Sequence, residues 1–411
     1  MRGAGCAAWF AATLCCSPAS GRDLDVRLST SAWSGDRRLD DGTGVSYSQV
    51  QAKLTHKLSS VVGVVVDGYA GYEQDFSAEP SRGRSALKEG YLSVKEDHLL
   101  ATVGWQIISW GRADVVNPTD NVSAYDYTLL VPTDAEQKLG VPSLSLTYRL
   151  DAVSVQTIWQ PAFRSSQIPL PEVSGVHYQD HEPTGLKNAG GLRVDVTGEK
   201  LAWSVSFFHG PSKQPNLALS GARMTEGVAD TNHPYATTYG LDFEYLVGRW
   251  VIRGEAAYND FVGSGRDLLA SRESFALGVL GVERNFGNTS VFFQTTYRRV
   301  FDFVDPYSAP PQLLDLALAN AVVNNEVRSS LFGLGAGFSY NTRDLLWHAS
   351  GNLAYFPATH DFALRPRMKY QLTDVVSLWA GMDWFTGPVV GQFGRLHQNS
   401  AVFVGVTMSV L

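Results

Sequence analysis

The chain has 411 residues, a formal net charge of −7 and only 18% charged residues, with 39 glycines and 11% aromatic residues. A chain of this length admits two or three soluble domains or one large β-barrel, while few charges, many glycines and many rings suit tight turns between ring-bearing strands more than helices. The acidity bears on solubility and not on any interior, because a closed wall can keep its acids on one side and its bases on the other.

The amino-terminal stretch MRGAGCAAWFAATLCCSPAS has Arg2, an apolar run and a small-residue site after Ala19, the layout of a secretory signal peptide spanning 1–19. All three cysteines (Cys6, Cys15, Cys16) fall within it, so the exported product, one domain over 20–411, carries no thiol to oxidise or to ligate metal. A lipidated Cys15 or Cys16 is the alternative, but neither follows a small-residue lipidation box. Beyond this segment no apolar run reaches the roughly 18 residues of a membrane helix; the nearest, 61–66, is interrupted by Gly63.

A two-residue period runs through the remainder. Ser143, Ser145, Thr147 and Arg149 alternate with Leu144, Leu146 and Tyr148. Arg253, Glu255 and Asn259 oppose Trp250, Ile252 and Tyr258, and Gln294, Thr296 and Arg298 oppose Phe293 and Tyr297. In LRPRMKYQL, Leu364, Pro366, Met368, Tyr370 and Leu372 oppose Arg365, Arg367, Lys369 and Gln371. Successive side chains of a strand point to opposite faces, so each segment separates an apolar medium from a wet one. Apolar faces often end in a ring, as at Trp33, Tyr148, Trp159, Tyr245, Trp250, Tyr340, Tyr355 and Trp384, the expected place for girdles at the two lipid boundaries. Residues 274–283 give no clean phase, and Pro366, which removes a ladder donor, predicts a bulge or bend.

Between the strands, connections alternate in length. Short turns fall at 58–60, 96–98, 150–152, 198–200, 247–249, 287–289, 341–344 and 373–374; long ones at 34–45, 74–90, 111–139, 161–189, 211–234, 261–272, 302–329 and 387–399, with a brief one near 357–360. This rhythm predicts an all-β fold: a transmembrane antiparallel β-barrel of about 18 strands in the bacterial outer membrane, with periplasmic turns, extracellular loops and a lumen wide enough for water. A soluble antiparallel sheet also alternates, but not with polar inner faces and a short/long loop rhythm over such a length. The last strand, AVFVGVTMSVL, resembles the terminal strand recognised by barrel-assembly machinery, although it ends in Leu411 instead of an aromatic residue.

Phase assigns to the lumen the bases Arg27, Lys53, Lys57, Lys95, Arg112, Arg149, Arg193, Arg253, Arg298, Arg365, Arg367 and Lys369, against the acids Asp25, Asp67, Asp195, Asp242, Glu244, Glu255 and Asp383. Two readings stand: a cationic interior favouring anionic or polyhydroxylated solutes, or bases paired with the acids that merely hydrate the wall. The substrate pathway expected from this set is Arg112, Arg149, Arg253, Arg298, Arg365, Arg367, Lys369 and Asp383. In WQIISWGRADVVNPTD, Asn and Asp can bond their own backbone and Pro fixes direction, so the connection it opens is a built loop. Folded inward it would put Asp114, Asn117, Asp120, Asp126 and Tyr127 at a constriction; folded outward the same residues are structural turns. Residues 311–325 have helical spacing, with apolar and polar residues on different faces, and read as a lid, a plug, or a helix packed on neighbouring loops.

Gly104-x-Gln106, Trp110-Gly111 and Asn117-Pro118-x-Asp120 together resemble alginate-export-type porins and related Gram-negative barrels. The resemblance implies a barrel fold and a transport role, with acidic sugars as one option; Trp105 stands where such proteins often show arginine. The expected function is an outer-membrane channel for small or chain-like hydrophilic solutes, with anions as the narrower expectation. The alternatives are a transporter of hydrophobic ligands, an outer-membrane enzyme, or an export-machinery component. Histidines without ligand spacing and a GLGAGF run with no helix after it nominate no catalytic group, metal or cofactor. Expected partners are membrane lipid, a small-molecule or oligosaccharide solute and the assembly machinery, and no nucleic acid.

Overall fold

The computed structural model describes residues 22–410 apart from 40–43, 77–80, 114–115, 172, 174–175, 219–227 and 263–271. The signal peptide and Asp114 lie outside the described residues. Eighteen strands form one antiparallel sheet. In chain order they are β1 (Arg22–Trp33), β2 (Val45–Lys57), β3 (Val62–Asp75), β4 (Arg82–Glu96), β5 (Leu99–Gln106), β6 (Val141–Leu150), β7 (Val153–Gln160), β8 (Ala189–Thr197) and β9 (Leu201–Pro211), followed by β10 (Tyr235–Val247), β11 (Trp250–Phe261), β12 (Phe275–Phe286), β13 (Thr289–Val300), β14 (Ser330–Asn341), β15 (Trp347–Phe356), β16 (Asp361–Gln371), β17 (Val376–Thr386) and β18 (Ala401–Ser409). Each strand pairs with its neighbours in the chain, and β18 returns to β1 from Arg27↔Ser409 to Trp33↔Phe403. Closure is what lipid demands, since each unpaired backbone group in hydrocarbon costs several kcal/mol.

The connections alternate as expected. Eight are short turns and nine are loops, here L1 to L9, of which L8 (357–360) is brief. The outer face is apolar: Leu144, Leu146, Trp159, Phe293, Tyr297, Trp384, Val402 and Val404 are all exposed on it. Rings at Tyr148, Tyr245, Trp250, Phe286 and Tyr340 sit beside the turns, forming the periplasmic girdle. Trp33 does not belong to a girdle. It points inward, is 2% exposed and stacks on Phe403 at 3.9 Å; a ring at a strand end packs inside when a loop covers it, and L3 does so here through Leu129, Leu130 and Val131.

Two irregularities differ from expectation. Pairing passes from Leu364↔Trp384 to Arg367↔Gly381 with its register unbroken, so Pro366 marks neither a bulge nor a slip. The guanidinium of Arg367 donates instead to the carbonyl of Met382, opposite Pro366, at 2.6 Å, replacing the donor that proline lacks. The bulge is elsewhere, at Lys88, where pairing shifts between Asp67↔Glu89 and Gly68↔Leu87. The strand without a clean phase, β12, turns Phe275, Leu277 and Val279 inward, where Phe275 and Leu277 pack with Phe261, Val300 and Phe303 under the loops.

Burial changes along the barrel. Inward side chains near the loop ends of the strands are covered, as at Val45, Tyr47 and Gln49 on β2 or Val141, Ser143 and Ser145 on β6. Towards the turns the same faces open, at Lys57 and Arg149. The extracellular half of the lumen is therefore packed with loops, and the periplasmic half is a vestibule.

Candidate functional site

L3 (107–140) folds inward. Its entrance is set by Trp110-Gly111: the indole of Trp110 lies against Gly191 on β8 and donates to Gln156 Oε1 at 2.9 Å. Gly111 follows with φ +89°, where a Cβ would meet Asn117 Oδ1 and the Glu255 carboxylate. Only glycine makes that turn without strain.

Two clamps on opposite sides hold the loop. On β11, Glu255 accepts from the backbone N–H groups of Arg112 (2.9 Å), Ala113 (3.1 Å) and Thr119 (2.7 Å), and from the Thr119 hydroxyl (2.9 Å). Arg112 forks onto Asp195 (3.0 and 2.9 Å) and also binds Asp242, which Arg193 shares at 2.9 Å. Across the lumen, Asp383 on β17 is 2% exposed and takes Arg37 from L1 at 3.1 Å, Arg365 at 2.8 Å and Arg367. Arg365 also grips Asp134 of L3 through two bonds of 2.5 and 2.7 Å, and Arg367 Nε donates to Pro132 O at 2.9 Å. One clamp holds two cations and three carboxylates, the other three cations and two carboxylates. Their charges nearly cancel, as buried ions must.

The expected pathway residues therefore fall into two groups. Arg112, Arg365, Arg367 and Asp383 are clamp residues, Arg253 is shared between Glu244 at 2.8 Å and Glu283, and Arg298 lies over the Phe275 ring while donating to Asn324 O at 3.0 Å. Arg149 and Lys369 are exposed in the vestibule with Lys57 and Lys95, and among the described residues no ion pair holds any of the four. They occupy β2, β4, β6 and β16, so they line one side of the ring, with Asp23 as an acid on the same inner face.

Within L3, Asp126 is a turn residue, its Oδ1 accepting from Thr128 N at 3.0 Å and Thr128 Oγ1 at 2.6 Å. Asp120 binds Lys138 at 2.6 Å and Tyr125 at 2.5 Å, and Asn117 accepts from Thr119 at 3.5 Å. Tyr127 stacks on Tyr125 with centroids 5.2 Å apart and keeps 37% exposure. The loop is both inward and built on structural turns. Trp105 faces outward, with the Arg164 guanidinium 5.2 Å from its ring.

The predicted helix is present as α1 (Leu314–Asn324). It is not amphipathic towards water: Leu316, Ala317, Ala319, Asn320 and Val323 are all buried, and Asn320 accepts from Leu217 N of L5 at 3.0 Å. Its last carbonyls are bonded by Arg298 from β13 and Arg395 from L9, as suits a helix C-terminus. Position along the chain gave no signal for Arg37 or Asp134, because loop charges have no phase. Lys213 of L5 was missed for the same reason: it is 7% exposed, donates to Gln160 at 2.9 Å, and burial pushes its ammonium down to about 7.

Solved structures share this architecture. OccAB4 of Acinetobacter baumannii superposes with a TM-score of 0.58 over 95% of this chain and 98% of that one, at 10% identity. The fold is that of an outer-membrane porin. OpdL of Pseudomonas aeruginosa gives 0.55 over 95% and 99% at 9% identity, and OpdK of the same organism, solved with vanillate, gives 0.53 over 95% and 98% at 9%. No protein-family model and no curated protein matches the chain. The porin barrel, with its apolar outer band, places the chain in the bacterial outer membrane.

Proposed function

We propose that the chain is a substrate-selective channel in which L3, pinned from both sides, is the constriction, and that it passes small hydrophilic anions. The observation carrying this reading is the contrast between charges consumed by the clamps and the four unpaired cations of the vestibule. A low-dielectric wall focuses such a one-sided field and draws anions towards the constriction. The complex of OpdK with vanillate, a small aromatic carboxylate, supports the same solute class on a shared fold. Tyr127 and the vestibule residues Lys57, Lys95, Arg149 and Lys369 are the groups proposed to meet the solute.

Reconstitution in a planar bilayer under a salt gradient tests both parts. The expected result is discrete conductance with a reversal potential on the anion side, and partial block by millimolar vanillate. A folded barrel that passes no current would end the channel reading, and a reversal potential on the cation side would end the anion reading alone.

A further inference from the structure

The outer wall carries a groove where β11 and β12 turn small residues to lipid. Gly254, Ala256 and Gly278 leave a cavity of about 310 Å³ flanked by Phe243, Leu280 and Tyr297. The Phe243 ring lies over Gly254, so that a Cβ there would strike it, whereas a Cβ at Gly278 would meet nothing nearer than Glu255 O at 4.0 Å. The floor of the groove is open at Gly278.

On the same face of β12, six residues towards the periplasmic turn and so about 20 Å along the strand, stands Arg284. It pairs across the ladder with Trp250, and its guanidinium lies 4.7 Å from the Trp250 and Phe286 rings. Its Nε is buried without a hydrogen-bond partner, and among the described residues no carboxylate pairs with it. A cation at girdle level on the lipid side faces headgroup phosphates, and between it and the groove the outer face is apolar, with Ile252 and Val282 directly paired.

The geometry points to a bound lipid: one glycerophospholipid of the periplasmic leaflet, its phosphate on Arg284 and one acyl chain running past Val282 into the groove at Gly278. The phosphate oxygens supply the acceptors the guanidinium lacks, and the chain fills space that side chains leave empty. Charge complementarity selects a phosphate-bearing lipid, and position by the turns selects the inner leaflet.

Native mass spectrometry of the detergent-purified protein tests this with three probes: dipalmitoyl phosphatidylglycerol, dipalmitoylglycerol, which lacks the phosphate, and dihexanoyl phosphatidylglycerol, which lacks the long chains. Wild type should retain one dipalmitoyl phosphatidylglycerol and little of the other two. Arg284→Gln and Gly278→Leu should each weaken retention about fivefold, and neither touches the inner wall, so both should keep the heat-modifiable gel migration of a folded barrel. Equal retention of dipalmitoylglycerol would overturn the phosphate contact; unchanged retention by Gly278→Leu, and by Ala256→Phe as a second filling variant, would overturn the groove.

Discussion

Asp383 shows how a single side chain can hold two loops. Its carboxylate is buried among Arg37, Arg365 and Arg367, and removing one partner of a buried ionic cluster leaves the others uncompensated. Asp383→Asn should therefore lower barrel stability by about 3–5 kcal/mol, read as an earlier urea midpoint in lipid vesicles; a change under about 1 kcal/mol would mean that the arginines find water instead. Lys213 makes the opposite kind of statement. Burial lowers its pKa to about 7, below the roughly 10.4 of an unfolded lysine, so between these values the unfolded chain binds more protons and stability rises with pH. Below about 7 the full cost of burying the charge is present. The stability difference between Lys213→Met and wild type should be greatest at pH 6.5 and shrink by pH 9.5, and a pH-independent difference would contradict the buried ammonium.

At the scale of elements, L3 depends on one backbone conformation. Gly111 turns at φ +89° into the space beside the Glu255 carboxylate, and Gly111→Ala adds both left-handed strain and a clash, costing of the order of 1–3 kcal/mol. The strain falls on the loop and not on the wall, so the variant should fold while its first arm swings off β11. Single-channel conductance should rise and open-state noise should increase; unchanged conductance would place the constriction elsewhere. Strand elements were legible in the sequence because lipid outside and water inside impose a strict two-residue period, which gave the count of strands and each turn. Legibility failed where that boundary condition failed. Trp33 and β12 face loops packed in the lumen, so their inner residues are apolar and lose the polar signal. The helix at 314–324 was visible by spacing, but its surroundings were not, because Asn320 bonds another loop instead of water. For the site, the Trp110-Gly111 turn and the phase of Arg365 and Arg367 were readable, whereas their partners Asp134 and Arg37 come from loops whose charges follow no period.

For the whole molecule, the decisive quantity is where the uncompensated charge lies. The clamp cations are paired with carboxylates, so their fields cancel within a few ångströms; the vestibule cations Lys57, Lys95, Arg149 and Lys369 are solvent-exposed on one side of the ring and act over about a Debye length, roughly 10 Å at 0.1 M salt and 3 Å at 1 M. In the proposed anion channel, selectivity and structural integrity rest on different residues, and the two should separate on mutation. Replacing the four vestibule cations by glutamine should move the reversal potential towards zero at 0.1 M salt while leaving conductance near wild type, and the wild-type preference should itself fade at 1 M. Replacing Arg365 and Arg367 should instead free L3 and alter conductance first. If the vestibule variant keeps its full anion preference at low salt, the selective field arises within the clamps, and the asymmetry of the vestibule wall plays no part in permeation.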